Sequence, residues 1–174
     1  MEITLLSPNC IKIKGKNSAA IVDPVTLRTK TPSDAIILLK KDEKYDQSKI
    51  EGARVVLDGP GEYEFSGVKI VAMGERNTVY GMNVDGIETL VGNIEGIDKY
   101  KEKLKEHSVI IFFADSKFND SLITALEPKV AIFYGENAQE AVASLGKAET
   151  VKPASKYSIK PENLPEEMEV VLLG

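Results

Sequence analysis

The chain has 174 residues, 43% hydrophobic and 28% charged, the proportions of a globular protein with a sizeable core. Its net charge of −5 argues against sequence-blind nucleic-acid binding, which needs a basic footprint, and against an anionic membrane surface, while leaving room for a local basic patch. Cys10 is the single cysteine, so an internal disulfide or a thiolate cluster is excluded.

The opening MEITLLS lacks a basic stretch followed by an apolar run, so no signal peptide is expected. The apolar runs Ala35–Leu39 and Val109–Ala114 are too short to span a bilayer, and a cytoplasmic, soluble protein is the expectation. From the start, three short runs read as strands: Ile3–Leu6, Cys10–Lys14 and Ala19–Val22, separated by Pro8-Asn9 and Gly15-Lys16-Asn17. The middle run alternates apolar and basic residues, as a strand with one wet face does, and the three suggest an antiparallel meander. Asp23-Pro24 follows directly and reads as a strand end whose carboxylate caps the next turn. Ala35–Leu39 suits a strand covered on both faces, and Arg54–Leu57 a shorter one.

Asp58–Ile70, DGPGEYEFSGVKI, packs the densest local information: a turn at Gly59-Pro60-Gly61, a strand, a second turn at Ser66-Gly67 and another strand from Val68. Val68–Met73, Thr78–Val84 and Ile87–Val91 continue the β pattern, with Asp85-Gly86 a two-residue hairpin signal. Helices then enter. Ile97, Tyr100 and Leu104 share one face of a Lys/Glu-rich helix. A second helix is expected over 116–127, with Phe118, Leu122 and Leu126 at four-residue spacing and Pro128 as its stop. A third is expected from Asn137, with Glu140 completing a capping box and Gly146 ending it. Val109–Ala114 and Val130–Phe133 are the intervening strands, implying parallel pairing. Tyr157–Ile159 and Glu169–Leu173 close the chain, and no linker divides it, so a single domain over 1–174 is expected. Meander first and strand–helix units second suggest two mixed sheets packed face to face with helices outside.

The PGEYE segment followed by GVKI resembles the small, UlaG-like branch of the metallo-β-lactamase-fold hydrolases, and the likeness extends over roughly residues 1–145. The resemblance implies a four-layered αββα sandwich, here trimmed, and a zinc-dependent hydrolase ancestry. The ligands that this ancestry requires are missing. In the family, a strand like Ala35–Leu39 ends in His-x-His-x-Asp-His, whose imidazoles and carboxylate suit zinc. That pattern falls here on Lys40, Asp42, Lys44 and Tyr45. The family's His-x-Gly-Asp becomes Leu90-Val91-Gly92-Asn93, and a later His position falls on Gly135. His107, the one histidine, sits at a helix end where a cap role is expected.

Asp23, Lys40, Asp42, Lys44, Tyr45 and Asn93 are therefore the candidates for a vestigial pocket, with no metal and no cofactor expected. Tyr45, Leu90 and the lysine stems are the side chains available to fill it. Lys40, Lys41 and Lys44 form either an anion-binding rim or a solvated loop among Asp42, Glu43 and Asp46. Asp23, Asp34, Asp42 and Asp58 could meet around a hard cation only if the fold brings them together. Ser66, Ser116 and Ser121 are nucleophiles by residue type alone. The leading expectation is a metal-free, catalytically degenerate binding or assembly module with an unknown protein or small-molecule partner, and a homo-oligomer by resemblance. The alternative is a hydrolase of altered chemistry acting on a phosphoester or lactone, through a carboxylate-ligated metal or without one. There Asp42 or Asp23 would be general base and Lys40 or Lys44 would stabilise the anion. Nucleic-acid binding through the lysine rim runs against the acidic balance.

Overall fold

A computed structural model describes residues 1–41, 43–104 and 106–174. Strands β1 (Glu2–Ser7), β2 (Cys10–Lys14) and β3 (Ala19–Val22) form the expected antiparallel meander. Ile11 and Ile13 point into the core, while Lys12 and Lys14 take the other face, as the alternation demands. After a 3₁₀ turn at Pro24–Thr26 come β4 (Thr31–Pro32), β5 (Ala35–Ile37), β6 (Ile50–Glu51) and β7 (Val55–Leu57). β5 pairs parallel with β3 and with β7, and β4 with β6 forms a small separate ribbon.

β8 (Gly61–Phe65) leaves the first sheet for the second, where it forms a hairpin with β9 (Val68–Met73) through Ser66 and Gly67, both at positive φ. β10 (Val79–Val84) and β11 (Ile87–Asn93) follow, joined by Asp85-Gly86 at φ 54° and 85°. The remaining elements are α1 (Ile94–Tyr100), β12 (Val109–Phe113), α2 (Ser121–Leu126), β13 (Val130–Tyr134), α3 (Ala138–Ser144), β14 (Lys156–Ser158) and β15 (Glu169–Leu172). The first sheet runs β14-β1-β2-β3-β5-β7 and the second β15-β13-β12-β11-β10-β9-β8. The chain's tail is thus divided, β14 completing one sheet and β15 the other. β11, β12, β13 and β15 are parallel, so the loops after the first three open at the same end.

The main core lies between the sheets, with Ile3, Ile11, Val22 and Ile37 facing Ile70, Tyr80, Val91 and Ile111. A second core packs α1–α3 on the outer face of the helix-bearing sheet, where Phe112 stacks on Phe133 and Phe118 meets both edge-on. On the other outer face the trimming is evident. Leu27, just after the 3₁₀ turn, and Ile50 of the short β6 cover Cys10 and Ile21 where a helical layer would lie.

Two helix expectations are corrected. The second helix begins at Ser121, not 116: Phe118 is anchored between Phe112 and Phe133, and Asn119 Oδ1 accepts the Ser121 N–H at 3.0 Å, starting the helix late. Asn137 makes no side-chain cap bond, so the capping box does not form. Gly146 does end that helix, at φ 69°.

Candidate functional site

Parallel strands deliver the residue that follows each of them to one end of a sheet, and here the two sheets deliver theirs to the same end. Asp23 follows β3, Lys40 lies beyond β5, Asn93 ends β11, Asp115 lies beyond β12, and Tyr134 with Gly135 ends β13. The segment after β5 crosses between the sheets: Thr78 N–H donates to Leu39 O at 2.8 Å, Lys41 N–H to Arg76 O at 3.1 Å, and Lys40 bridges to Asn77. Tyr80 Oη, fully buried, secures the same crossing by contacts of 2.8 Å to Leu38 O and 3.1 Å to Leu57 O.

At the centre, Lys40 Nζ stands 2.9 Å from Asp115 Oδ2. Asn93 Nδ2 donates to Asn77 Oδ1 at 2.8 Å and reaches Asp115 Oδ2 at 3.4 Å. Asn93 Oδ1 caps α1 by accepting the Gly96 N–H at 2.9 Å. The Asp115 hydrogen bond and charge raise the Lys40 pKa against its partial burial, so this ammonium stays charged. Asp115 Oδ1 and the Tyr134 hydroxyl are buried and find no hydrogen-bond partner among the described residues. Burial, then the Asp23, Cys10 and Asp115 charges, push the Tyr134 phenol well above its ordinary range, so it remains neutral.

Asp23 does not cap the turn that follows it, correcting the cap expectation. It adopts a left-handed conformation at φ 46°, and its Oδ1 accepts the N–H of Leu39, in the segment just beyond β5, at 2.9 Å. Only 6% exposed, its carboxyl is pushed up to about 7, chiefly by burial; the Leu39 bond and Lys40 oppose, and Glu43 and Asp115 add to the rise. Cys10, beside it, is pushed up to about 12 by burial and the Asp23 charge, with a Ser7 hydrogen bond opposing, so it is an inert thiol.

The structure therefore brings Asp23, Lys40 and Asn93 together. Lys44 is exposed and Tyr45 half-buried, and among the described contacts neither bonds to the cluster; Asp42 lies outside the described residues. Leu90 cannot fill the pocket, because it faces the helices on the outer side of its sheet. The four-carboxylate cation site does not assemble, since Asp34 binds Ala19 N–H at the other end of β3 and β5. His107 Nδ1 contacts Leu104 O at 3.0 Å, the helix-end role expected of it. It borders a cavity of about 620 Å³ with Glu106, Glu127 and Lys129, at the end of the parallel strands away from the cluster. Asp115 and Tyr134 escaped the motif comparison. Their signal was position alone, since each sits at the carboxyl end of a buried parallel strand, where open α/β sheets place ligands.

The zinc implied by the sequence resemblance does not fit these side chains. Asp115 Oδ2 already receives an ammonium and an amide, Asn93 Oδ1 is committed to a helix cap, and burial holds Asp23 toward its protonated form. Among the described residues no three His, Cys, Asp or Glu side chains converge to hold a metal ion.

Solved structures share this architecture. A protein assigned as a Zn-dependent hydrolase of the metallo-β-lactamase superfamily from Thermotoga maritima superposes with a TM-score of 0.74 at 17% identity, over 99% of this chain and 98% of that one. A protein assigned as a metal-dependent hydrolase from Parabacteroides distasonis gives 0.64 at 16% identity, covering 98% and 91%. The metallo-β-lactamase fold protein YhfI from Bacillus subtilis gives 0.59 at 8% identity, covering 98% and 95%. At these identities the likeness is one of fold. No family model and no curated protein sequence matches the chain.

Proposed function

We propose that this chain, which has the metallo-β-lactamase fold, is a metal-free, catalytically degenerate form of it that works as a binding or assembly module. One observation carries the reading. The Lys40 ammonium, 2.9 Å from Asp115, supplies from within the chain the positive charge that a metal would bring to the strand-end carboxylate. A dication entering the cluster would have to expel a lysine held there by a charge-assisted hydrogen bond. Asn93 adds to this, because it keeps the shape of a bridging carboxylate without the charge. Partners of such a module would be further copies of the chain, another protein or a small molecule, met in the cytoplasm. No described helix is long and apolar enough to cross a membrane.

Elemental analysis of untagged protein, purified without chelator and repeated after zinc soaking, tests the reading. The expected result is no stoichiometric metal and no chelator-sensitive hydrolysis of phosphodiesters or lactones. A stoichiometric metal with chelator-sensitive turnover would refute it.

Asp23 favours a second reading, a hydrolase that needs no metal. A buried carboxyl pushed up to about 7 is poised to give or take a proton at neutral pH, with the fixed Lys40 cation nearby to stabilise an anion. Turnover retained in chelator, rising with pH through about 7 and abolished by Asp23→Asn, is what that reading requires.

A further inference from the structure

The end of the molecule away from the strand-end cluster carries a feature at odds with the overall acidity. A cleft of about 470 Å³ lies between the β2–β3 hairpin and the loop entering β7, and Lys12, Lys14, Lys16 and Arg54 line it. Two carboxylates, Asp34 and Glu51, also line it: Asp34 Oδ2 accepts the Ala19 N–H at 2.8 Å, and Glu51 lies 3.7 Å from the exposed Lys30, so the cations of the lining outnumber its carboxylates by two. No ion pair forms from Lys12, Lys14, Lys16 or Arg54 among the described residues. Four cations thus share one concavity in a chain of net charge −5.

The frame that holds them is rigid. Gly15 N–H donates to Ser18 O at 2.8 Å, and Lys16 N–H is held by both oxygens of Asp85 at 3.0 Å. Gly15 is packed so closely that an added Cβ would meet Ser18 Oγ at 2.8 Å. Lys12 Nζ donates to Pro32 O at 2.7 Å, which fixes the head group and leaves two further N–H donors. Burial and the neighbouring Lys14 charge lower the Lys12 pKa, against the pull of Asp34 and Glu2. Lys12 and Lys14, two residues apart on the same face of β2, repel each other, and an anion between them would relieve that repulsion.

We infer that this cleft is a binding site for a small, multiply phosphorylated molecule, with Lys12 and Lys14 as paired ammonium donors and Arg54 as the bidentate partner of a phosphate. The guanidinium fork matches phosphate geometry, and the volume lies in the range of small-molecule sites. The inference is independent of the strand-end cluster and of any reading of its chemistry.

Calorimetric titration of the full chain with inorganic tripolyphosphate at low salt tests it. Binding is expected to fall steeply as salt rises, to weaken about tenfold in Lys14→Ala and in Arg54→Ala, and to stay unchanged in Lys152→Ala. Lys16→Glu, at an exposed position, serves as an independent charge-reversal variant, and circular dichroism checks that each variant folds. Amide resonances of residues 15–19 are expected to shift on titration. Absence of binding at about 1 mM tripolyphosphate, or equal weakening in Lys152→Ala, overturns the site. Tighter binding of citrate overturns the phosphate class, and tighter binding of single-stranded RNA through the same residues makes it a nucleic-acid surface instead.

Discussion

Replacing Asp23 with Asn removes the buried carboxyl of the strand-end cluster while keeping its shape. The amide oxygen still accepts the Leu39 N–H, and Asn tolerates the left-handed φ of 46° as Asp does. The folded carboxyl titrates at about 7 against an ordinary 3.8, so folding favours its protonated form. Its contribution is greatest below pH 3.8 and is lost as pH rises through about 7. That difference corresponds to about 4 kcal/mol in full, of which about 2 to 3 kcal/mol falls between pH 5 and pH 8. Urea denaturation at a series of pH values is the assay, with the extrapolated stability as readout. The wild-type chain is expected to lose stability from pH 5 to pH 8, and Asp23→Asn to lose most of that slope and to be the more stable of the two at pH 8. Lys40, Glu43, Asp115, Cys10 and Tyr134 share the surroundings, and all remain in the variant. An unchanged slope, or a wild-type chain more stable at pH 8 than at pH 5, would show that Asp23 is ionised in the fold and refute the reasoning.

Three further outcomes are expected. Tyr80→Phe removes the hydroxyl between Leu38 O and Leu57 O and should cost about 1–3 kcal/mol in denaturant unfolding, because those carbonyls are buried. Gly92→Ala puts a Cβ 2.6 Å from Val79 Cγ1 and 3.0 Å from Ile97 Cγ1, so about 1–3 kcal/mol should be lost as α1 is pushed off its sheet. Lys40→Met breaks the Asp115 pair; with Lys40 45% exposed, solvent screening limits the loss to about 1 kcal/mol, measured by thermal unfolding at low and high salt.

Much of the fold was legible because short-range patterns reported it. The alternation at Cys10–Lys14, the Asp85-Gly86 turn and the apolar runs at 109–114 and 130–133 each describe a local backbone choice. The helix expected from residue 116 failed where locality ends: Phe118 obeys the ring packing of Phe112 and Phe133, which no spacing rule encodes. Asp23 failed as a cap for the same reason, its hydrogen-bond partner being Leu39, sixteen residues on and just beyond β5.

The sequence by itself determined most of the strands, the β-then-α/β order and the presence of a single histidine, since these depend on residue type and near neighbours. Only the tertiary structure decided that Lys40 pairs with Asp115, that Asp23 loses its water, and that the lysines of β2 share a cleft with Arg54. Those are properties of residues far apart in sequence, and their electrostatic energies depend on distance and solvent exposure, which chain folding alone sets.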